Sequence, residues 1–215
     1  MEKQHAGPIL ILNGSPRKSG VTATVLRIIA EEARAAGAPV EWVDVNDLKI
    51  RACIGCLKCR PDKTCILPRD DGHRIGELIE RCSALVVGTP TYWGNMSGPM
   101  KLLFDRNVPV FEYYELNTMR FPTPRHTGKK AAIVTASLAP FPFNQLSSQS
   151  RGTLRAVRTV LNAAGFAVKE QINVPLVPDA KHIGQHWLAK ARKLGKSLAA
   201  SAPTADRLPV PSITA

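Results

Sequence analysis

ILILNGSPRKSGVTATV, residues 9–25, joins an unbroken apolar run to a glycine- and hydroxyl-rich loop and then to the first residues of a helical pattern. Four consecutive apolar residues bounded by turn residues suit a strand buried on both faces. Val21, Val25, Ile28 and Ile29 recur at the spacing that puts apolar groups on one face of a helix. Between the two, Gly14 and Gly20 permit a tight turn, Ser15, Ser19 and Thr22 supply hydroxyls, and Arg17 and Lys18 supply cations. A helix starting near Val21 points its unpaired N–H groups back at that loop, so the segment reads as an anion cradle sized for a phosphate group. The spacing is neither GxxxxGK[ST] nor GxGxxG, which argues against ATP and against a dinucleotide fingerprint.

The same pattern repeats along the chain. ALVVGT (84–89) and AAIVTA (131–136) are unbroken apolar runs, whereas VEWVDV (40–45) and VKEQINV (168–174) alternate apolar with polar residues as exposed edge strands do. Helical spacing appears in Leu154, Val157, Val160, Leu161 and Ala164, and again in Ile183, Trp187, Ala191, Leu194 and Leu198. Alternating strands and helices predict an α/β fold: a doubly wound, five-stranded parallel sheet in three α/β/α layers. With the first, third and fourth strands inside, the strand order is 2-1-3-4-5, the flavodoxin-like arrangement. Ligands of such sheets bind beyond the carboxyl ends of strands one and three, where the winding reverses.

The loop leaving the third strand is therefore the second place to look. In GTPTYWGNMSGPMKLLFDR (88–106), Pro90 stiffens the exit, Thr91 to Asn95 form a turn with two aromatic rings and a glycine, and Ser97 is placed to cap the next helix. A planar heteroaromatic ligand needs such a wall.

Four of the five cysteines fall in CIGCLKCRPDKTC (53–65), spaced C-x2-C-x2-C-x5-C, and Gly55 helps the chain bend. Cys53, Cys56, Cys59 and Cys65 match the compact thiolate spacing of a [4Fe-4S] site. Zinc also takes four thiolates, although its sites usually pair two separate CxxC knuckles. Cysteines without a metal are the third reading, and all three stay open. The fifth, Cys82, ends a predicted helix and reads as core.

GSPRKSGVT (14–22), the cysteine segment followed by Asp70-Asp71, and PTYWGNMSGPMKLLFDR (90–106) occur in an order and spacing that resemble the NADPH-dependent FMN reductase family, and within it the iron-sulfur flavoproteins. The resemblance spans residues 8 to 175. It implies FMN as cofactor and NAD(P)H as electron donor. Ser15, Arg17, Ser19, Val21 and Thr22 would hold the FMN phosphate, Val21 through its backbone alone, and Pro90, Thr91, Tyr92, Trp93, Gly94 and Asn95 would flank the isoalloxazine. Similar cysteine segments also occur in plain flavin reductases. The implied function is transfer of electrons from NAD(P)H through FMN to a small acceptor such as a quinone or free flavin. The alternative is an electron carrier linking FMN, a cluster and protein partners. A homodimer or homotetramer is implied as well.

The remaining expectations are coarser. With 215 residues and 44% apolar composition the chain is expected to form one domain over residues 1–200, with the Pro- and Ser-rich stretch 201–215 a loose tail. The net charge of +12 is spread without a long Lys/Arg run, so no nucleic-acid partner is expected. Neither a signal peptide nor a membrane-spanning run is recognisable, and the expected location is cytoplasmic. His182 and His186, i and i+4 on the last predicted helix, could face one metal but read better as a solvated flank; His5, His73 and His126 have no obvious partners. Residues 107–128 form a long connection carrying Phe111, Tyr113, Tyr114, Met119 and Phe121, read as a subunit contact, a cover over the flavin, or satellite packing. The segment SLAPFPFN (137–144) is expected to form a third wall of the pocket.

Overall fold

The computed structural model describes residues 7–62, 64–113, 122–146, 148–175 and 178–200. Its strands are β1 (Ile9–Asn13), β2 (Val40–Asp44), β3 (Ala84–Pro90), β4 (Glu112–Tyr113), β5 (Thr123–Pro124), β6 (Lys130–Ser137) and β7 (Ala167–Pro175). Its α-helices are α1 (Val21–Ala35), α2 (Cys59–Asp62), α3 (Asp71–Arg81), α4 (Gly98–Arg106), α5 (Val108–Phe111), α6 (Phe143–Leu146), α7 (Ser148–Ala163) and α8 (Gln185–Ala199). The main sheet is parallel in the order β2-β1-β3-β6-β7, which is the expected 2-1-3-4-5 once the short antiparallel ribbon β4-β5 is set aside.

Side chains of β1 divide between two cores because successive residues of a strand face opposite ways. Ile9 and Ile11 pack with α1 and α8, while Leu10 and Leu12 pack with α3, α4 and α7. All five residues of β1 are buried, whereas β2 and β7 stay partly exposed along most of their length, as their alternating sequences require. Cys82 is buried in the second core, where its thiol donates to the Ile79 carbonyl at 3.1 Å.

At the switch point the loops after β1 and β3 are tied together at their bases. Gly14 N–H donates to the Gly88 carbonyl at 2.7 Å, and the Ser97 hydroxyl donates to the Gly14 carbonyl at 2.9 Å. Ser97 stands at the N-cap position of α4 but makes no capping bond; its side chain instead spans 83 residues of sequence. That corrects the expected cap. The crossing works because residue 14 has no Cβ: one placed there would lie 2.9 Å from the Met100 methyl and 3.1 Å from the Gly88 carbonyl.

The connection after α4 also behaves differently from a free loop. Phe111 is buried edge-to-face on Phe104 at 5.4 Å and adjoins His126, which stacks on Phe166 at 4.6 Å and contacts the Val110 carbonyl through Nε2 at 2.9 Å. His126 therefore has the partners that the sequence did not reveal. Tyr114, Met119 and Phe121 lie outside the described residues, as do His5 and the 201–215 segment. Among the described residues no helix is long and apolar enough to cross a membrane.

Two outcomes follow from this packing. Ser97→Ala should lower stability by about 1–3 kcal/mol in urea denaturation, because the buried Gly14 carbonyl loses its hydroxyl donor; an unchanged midpoint would show that the tie is dispensable. Burial pushes the Cys82 thiol up to about 11 against the opposing charge of Lys129. Since the folded value lies above the unfolded one, this residue's contribution is intact below roughly pH 8.5 and declines as pH rises toward 11. At pH 8 only about one Cys82 in a thousand is thiolate, so iodoacetamide should leave it unmodified in native protein by mass spectrometry.

Candidate functional site

Asn13, the last residue of β1, is buried and uses both ends of its amide. Its Nδ2 donates to Asp44 Oδ1 at 2.7 Å and its Oδ1 accepts from Ser15 N–H at 3.1 Å, an Asx turn that starts the loop. Ser15 Oγ accepts from Arg17 N–H at 3.3 Å, and Gly20 N–H closes the turn onto the Arg17 carbonyl at 3.0 Å. The two cations part company here. Lys18 is drawn to Asp47 at 2.5 Å, and that hydrogen bond and charge hold its ammonium above its ordinary pKa. Arg17 and Ser19 stay exposed, and among the described residues the Arg17 guanidinium has no hydrogen bond or ion pair. Gly20 occupies the N-cap of α1 and offers no side chain, so no cap covers the first-turn amides of Val21 and Thr22. Ser15 and Thr22 are buried beneath the loop.

Above β3 the chain makes a two-residue turn. Tyr92 and Asn95 exchange both backbone hydrogen bonds at 2.9 Å, with Trp93 at φ 52° and Gly94 at φ 72° between them. Positive φ at both central positions defines a primed turn, which favours Asn-Gly; a tryptophan in the left-handed region is strained by about 1–2 kcal/mol. Surrounding contacts hold it. Thr153 on α7 donates to the Asn95 carbonyl at 3.0 Å and lies 3.1 Å from the Thr91 hydroxyl, which in turn is 3.2 Å from the Thr135 hydroxyl. Gly152 lets α7 approach so closely that a Cβ there would sit 2.1 Å from the Gly94 carbonyl. Trp93 is fully exposed, and Tyr92 is half exposed. Pro90 ends β3, with Thr91 N–H joined to the Ala136 carbonyl of β6 at 3.0 Å. The segment after β6 therefore leaves beside this turn and presents exposed Leu138, Phe141 and Phe143.

The cysteine segment lies beyond β2 at the same edge. Gly55 (φ 66°) and Leu57 (φ 58°) fold Cys53 to Cys59 into a tight bend, and Gly55 N–H points at Cys53 Sγ at 3.5 Å. Cys53, Cys56, Cys59 and Cys65 all line one cavity of about 80 Å³, walled by Ile54, Leu57, Ile66 and Leu67 and closed by Arg106 and Pro109. Burial raises the Cys59 pKa; Arg60 opposes this, and Cys65 and Cys53 add to it through charge repulsion. Among the described residues no three His, Cys, Asp or Glu side chains are grouped as ligands of a single metal ion.

Both ends of that segment are gripped by the start of α3. Asp70 is its N-cap: Oδ2 accepts from Arg51 N–H at 3.0 Å, and Oδ1 accepts from Gly72 N–H at 3.0 Å. His73 completes a capping box, with Nδ1 3.2 Å from Asp70 N and Nε2 3.2 Å from the Cys65 carbonyl. Burial works against the Asp70 charge, but Arg51 N–H, Arg106, Gly72 N–H and His73 outweigh it and hold the carboxyl below its ordinary range. Asp71 is lowered too, first by Lys49 N–H and then, against burial, by Arg74. His73 thus has partners after all; an Asp followed three residues later by His was the available sequence signal. His182 and His186 do not share a helix. His182 sits in the 3-10 turn Ala180–His182 on Asp179 Oδ1 at 2.8 Å, while His186 packs edge-to-face on Trp187 in α8.

A family model described as NADPH-dependent FMN reductase matches residues 8–173. An iron-sulfur flavoprotein of Archaeoglobus fulgidus is 38% identical over 99 residues, covering 46% of this chain and 48% of that protein. One of Clostridioides difficile is 32% identical over 106 residues, covering 48% and 47%. The chain spans about half the length of the curated relatives it matches. Among solved structures, the NAD(P)H:quinone oxidoreductase of Methanothermobacter marburgensis superposes with a TM-score of 0.64 at 20% identity, covering 90% of this chain and 99% of that one. An FMN-dependent NADH-azoreductase of Bacillus anthracis in complex with FMN gives a TM-score of 0.70 at 13% identity, covering 90% and 100%. Those two likenesses bear on the fold. The family match runs from the start of β1 nearly to the end of β7, through both switch-point loops and the cysteine segment, and on that ground this chain belongs to the NADPH-dependent FMN reductase family.

Proposed function

We propose that this protein binds FMN across the loops after β1 and β3 and passes electrons from NAD(P)H through it to a small acceptor such as a quinone or free flavin. The observation that carries this reading is the tie at Gly14, Gly88 and Ser97, which sets an uncapped helix N-terminus, with an arginine unpaired among the described residues, beside a braced aromatic turn. In this reading the phosphate is held by the hydroxyls of Ser15, Ser19 and Thr22, the Arg17 guanidinium and the amides at Val21 and Thr22. The ring is flanked by Pro90, Thr91, Tyr92, Trp93, Gly94 and Asn95, whose turn is stiffened by Thr153 and Gly152. Leu138, Phe141 and Phe143 supply apolar surface that excludes water beside it. Bound FMN supplies the hydride and electron chemistry, so the protein needs no side-chain acid or base. The exposed apolar rim, with Leu146 added, suits cover by a second copy of the chain in a homodimer or homotetramer.

A second reading is favoured by the cysteine cavity: an electron carrier in which Cys53, Cys56, Cys59 and Cys65 hold a [4Fe-4S] cluster next to the flavin. The donor set fits such a group. Four cysteines line one largely apolar cavity, and Nε of Arg106, which lines it too, is buried without a hydrogen-bond partner among the described residues. Several matched relatives are named iron-sulfur flavoproteins.

Anaerobic purification separates the two. Flavin absorption with steady NAD(P)H oxidation and negligible iron supports the reductase, whereas roughly four iron and four sulfide per chain with little turnover supports the carrier. Colourless protein that refuses added FMN overturns both. Arg17→Ala should weaken FMN retention about ten- to hundredfold in dissociation constant, the equivalent of losing a charge-assisted contact of roughly 1.5–3 kcal/mol. Unchanged retention in a fluorescence titration would remove Arg17 from the phosphate site.

A further inference from the structure

Arg106 closes α4 with its side chain turned into the protein, 1% exposed. A guanidinium cannot shed its charge, and burying one without a matched partner is costly. Its one ion-pair partner among the described residues is Asp70 Oδ1, at a long 3.4 Å from Nη2, and its Nε has no hydrogen bond. Asp70 is itself divided among other donors, accepting from Arg51 N–H and Gly72 N–H and touching His73. The positive charge of Arg106 is therefore incompletely balanced by the protein.

Its location gives that imbalance a meaning. Arg106 lines the cavity bordered by all four clustered cysteines and, together with Cys65 and Pro109, also lines a neighbouring cavity of about 360 Å³. Arg60 also lines the cysteine cavity, lies 3.8 Å from Glu112 and acts on the neighbouring Cys59, while Asp105 is held by Lys101 at 2.5 Å. Two guanidinium groups thus border a cavity lined by four cysteines, and that of Arg106 is the more deeply buried, an arrangement that suits an anionic centre.

We propose that Arg106 is the counter-charge of the cysteine site and sets its reduction potential, favouring the more negative, reduced state of a [4Fe-4S] centre bound there. This rests on the second reading above. Four thiolates around a doubly positive core leave a net charge of about −2, and one-electron reduction adds another negative charge, so a nearby fixed cation stabilises the reduced form and raises the potential.

The test is anaerobic reconstitution of full-length wild type, Arg106→Gln, Arg106→Met and Arg106→Lys with ferrous iron and sulfide. Iron and sulfide are counted, and the midpoint of each loaded protein is found by spectroelectrochemical titration. At the wild-type midpoint the reduced-to-oxidised ratio of the neutral variants should fall about tenfold, a midpoint lower by about 59 mV for a one-electron couple, while the lysine variant stays near wild type. Loss of iron from both neutral variants with retention by the lysine variant would support the same role at assembly. Loaded neutral variants with an unshifted midpoint, or loss of iron from all three variants, would overturn the inference and leave Arg106 a packing residue. Wild type that takes up no iron overturns the cluster reading and this inference with it.

Discussion

Two backbone segments that leave the sheet at neighbouring strands are held in contact at Gly14, Gly88 and Ser97, and the rest of the site depends on that contact. The winding of a doubly wound sheet reverses between β1 and β3, so the loops above these strands turn to opposite faces and a crevice opens between them. Left to themselves, two loops diverging from a common edge would have no fixed relation. Here Gly14 donates to Gly88, receives the Ser97 hydroxyl, and is small enough for Met100 to close over it. Thr89 completes the junction by accepting from Ser97 N–H at 2.9 Å. The distance from helix N-terminus to aromatic turn is thereby set by buried hydrogen bonds, which low-dielectric surroundings make expensive to break.

The cysteine segment follows the same principle by a different device. Where burial is described, the residues from Ile54 to Asp70 are mostly exposed and contribute little to either core, so local packing cannot order them. Order comes instead from the two ends: Arg51 N–H and the Cys65 carbonyl both bind the first turn of α3, through Asp70 and His73. One helix N-terminus thus performs three tasks, capping itself, closing a loop and holding the buried Arg106. Asp70 is shared there between two backbone N–H groups, His73 and the Arg106 guanidinium.

Much of this was legible in the sequence, and the parts that were not have a common cause. Unbroken runs at 9–12, 84–89 and 131–136 marked the buried strands and alternation at 40–45 and 168–174 marked the edges, because burial on two faces or one is a local property of side-chain order. The order of strands followed, and with it the two loops. By contrast, Ser97 has the local sequence of a helix cap and spends its hydroxyl on a residue 83 positions away. Phe111, for which subunit contact, flavin cover and packing all stood open in the sequence, is core, since α5 folds it against Phe104. Trp93 adopts a turn conformation that its own preferences oppose, held there by Thr153 and by the close approach of Gly152.

By itself, then, the sequence determined the kind and order of the elements, the edge of the sheet where the winding reverses, and the residue types gathered in the two switch-point loops and the cysteine segment. All of these are encoded over a few neighbouring positions, where periodicity and spacing act directly. Only the tertiary structure decided that Lys18 is spent on Asp47 while Arg17 has no partner among the described residues, that four cysteines share one cavity, and that Arg106 of α4 lines it with them. Such outcomes depend on which side chains meet after long loops close, and packing, not local preference, selects among those encounters.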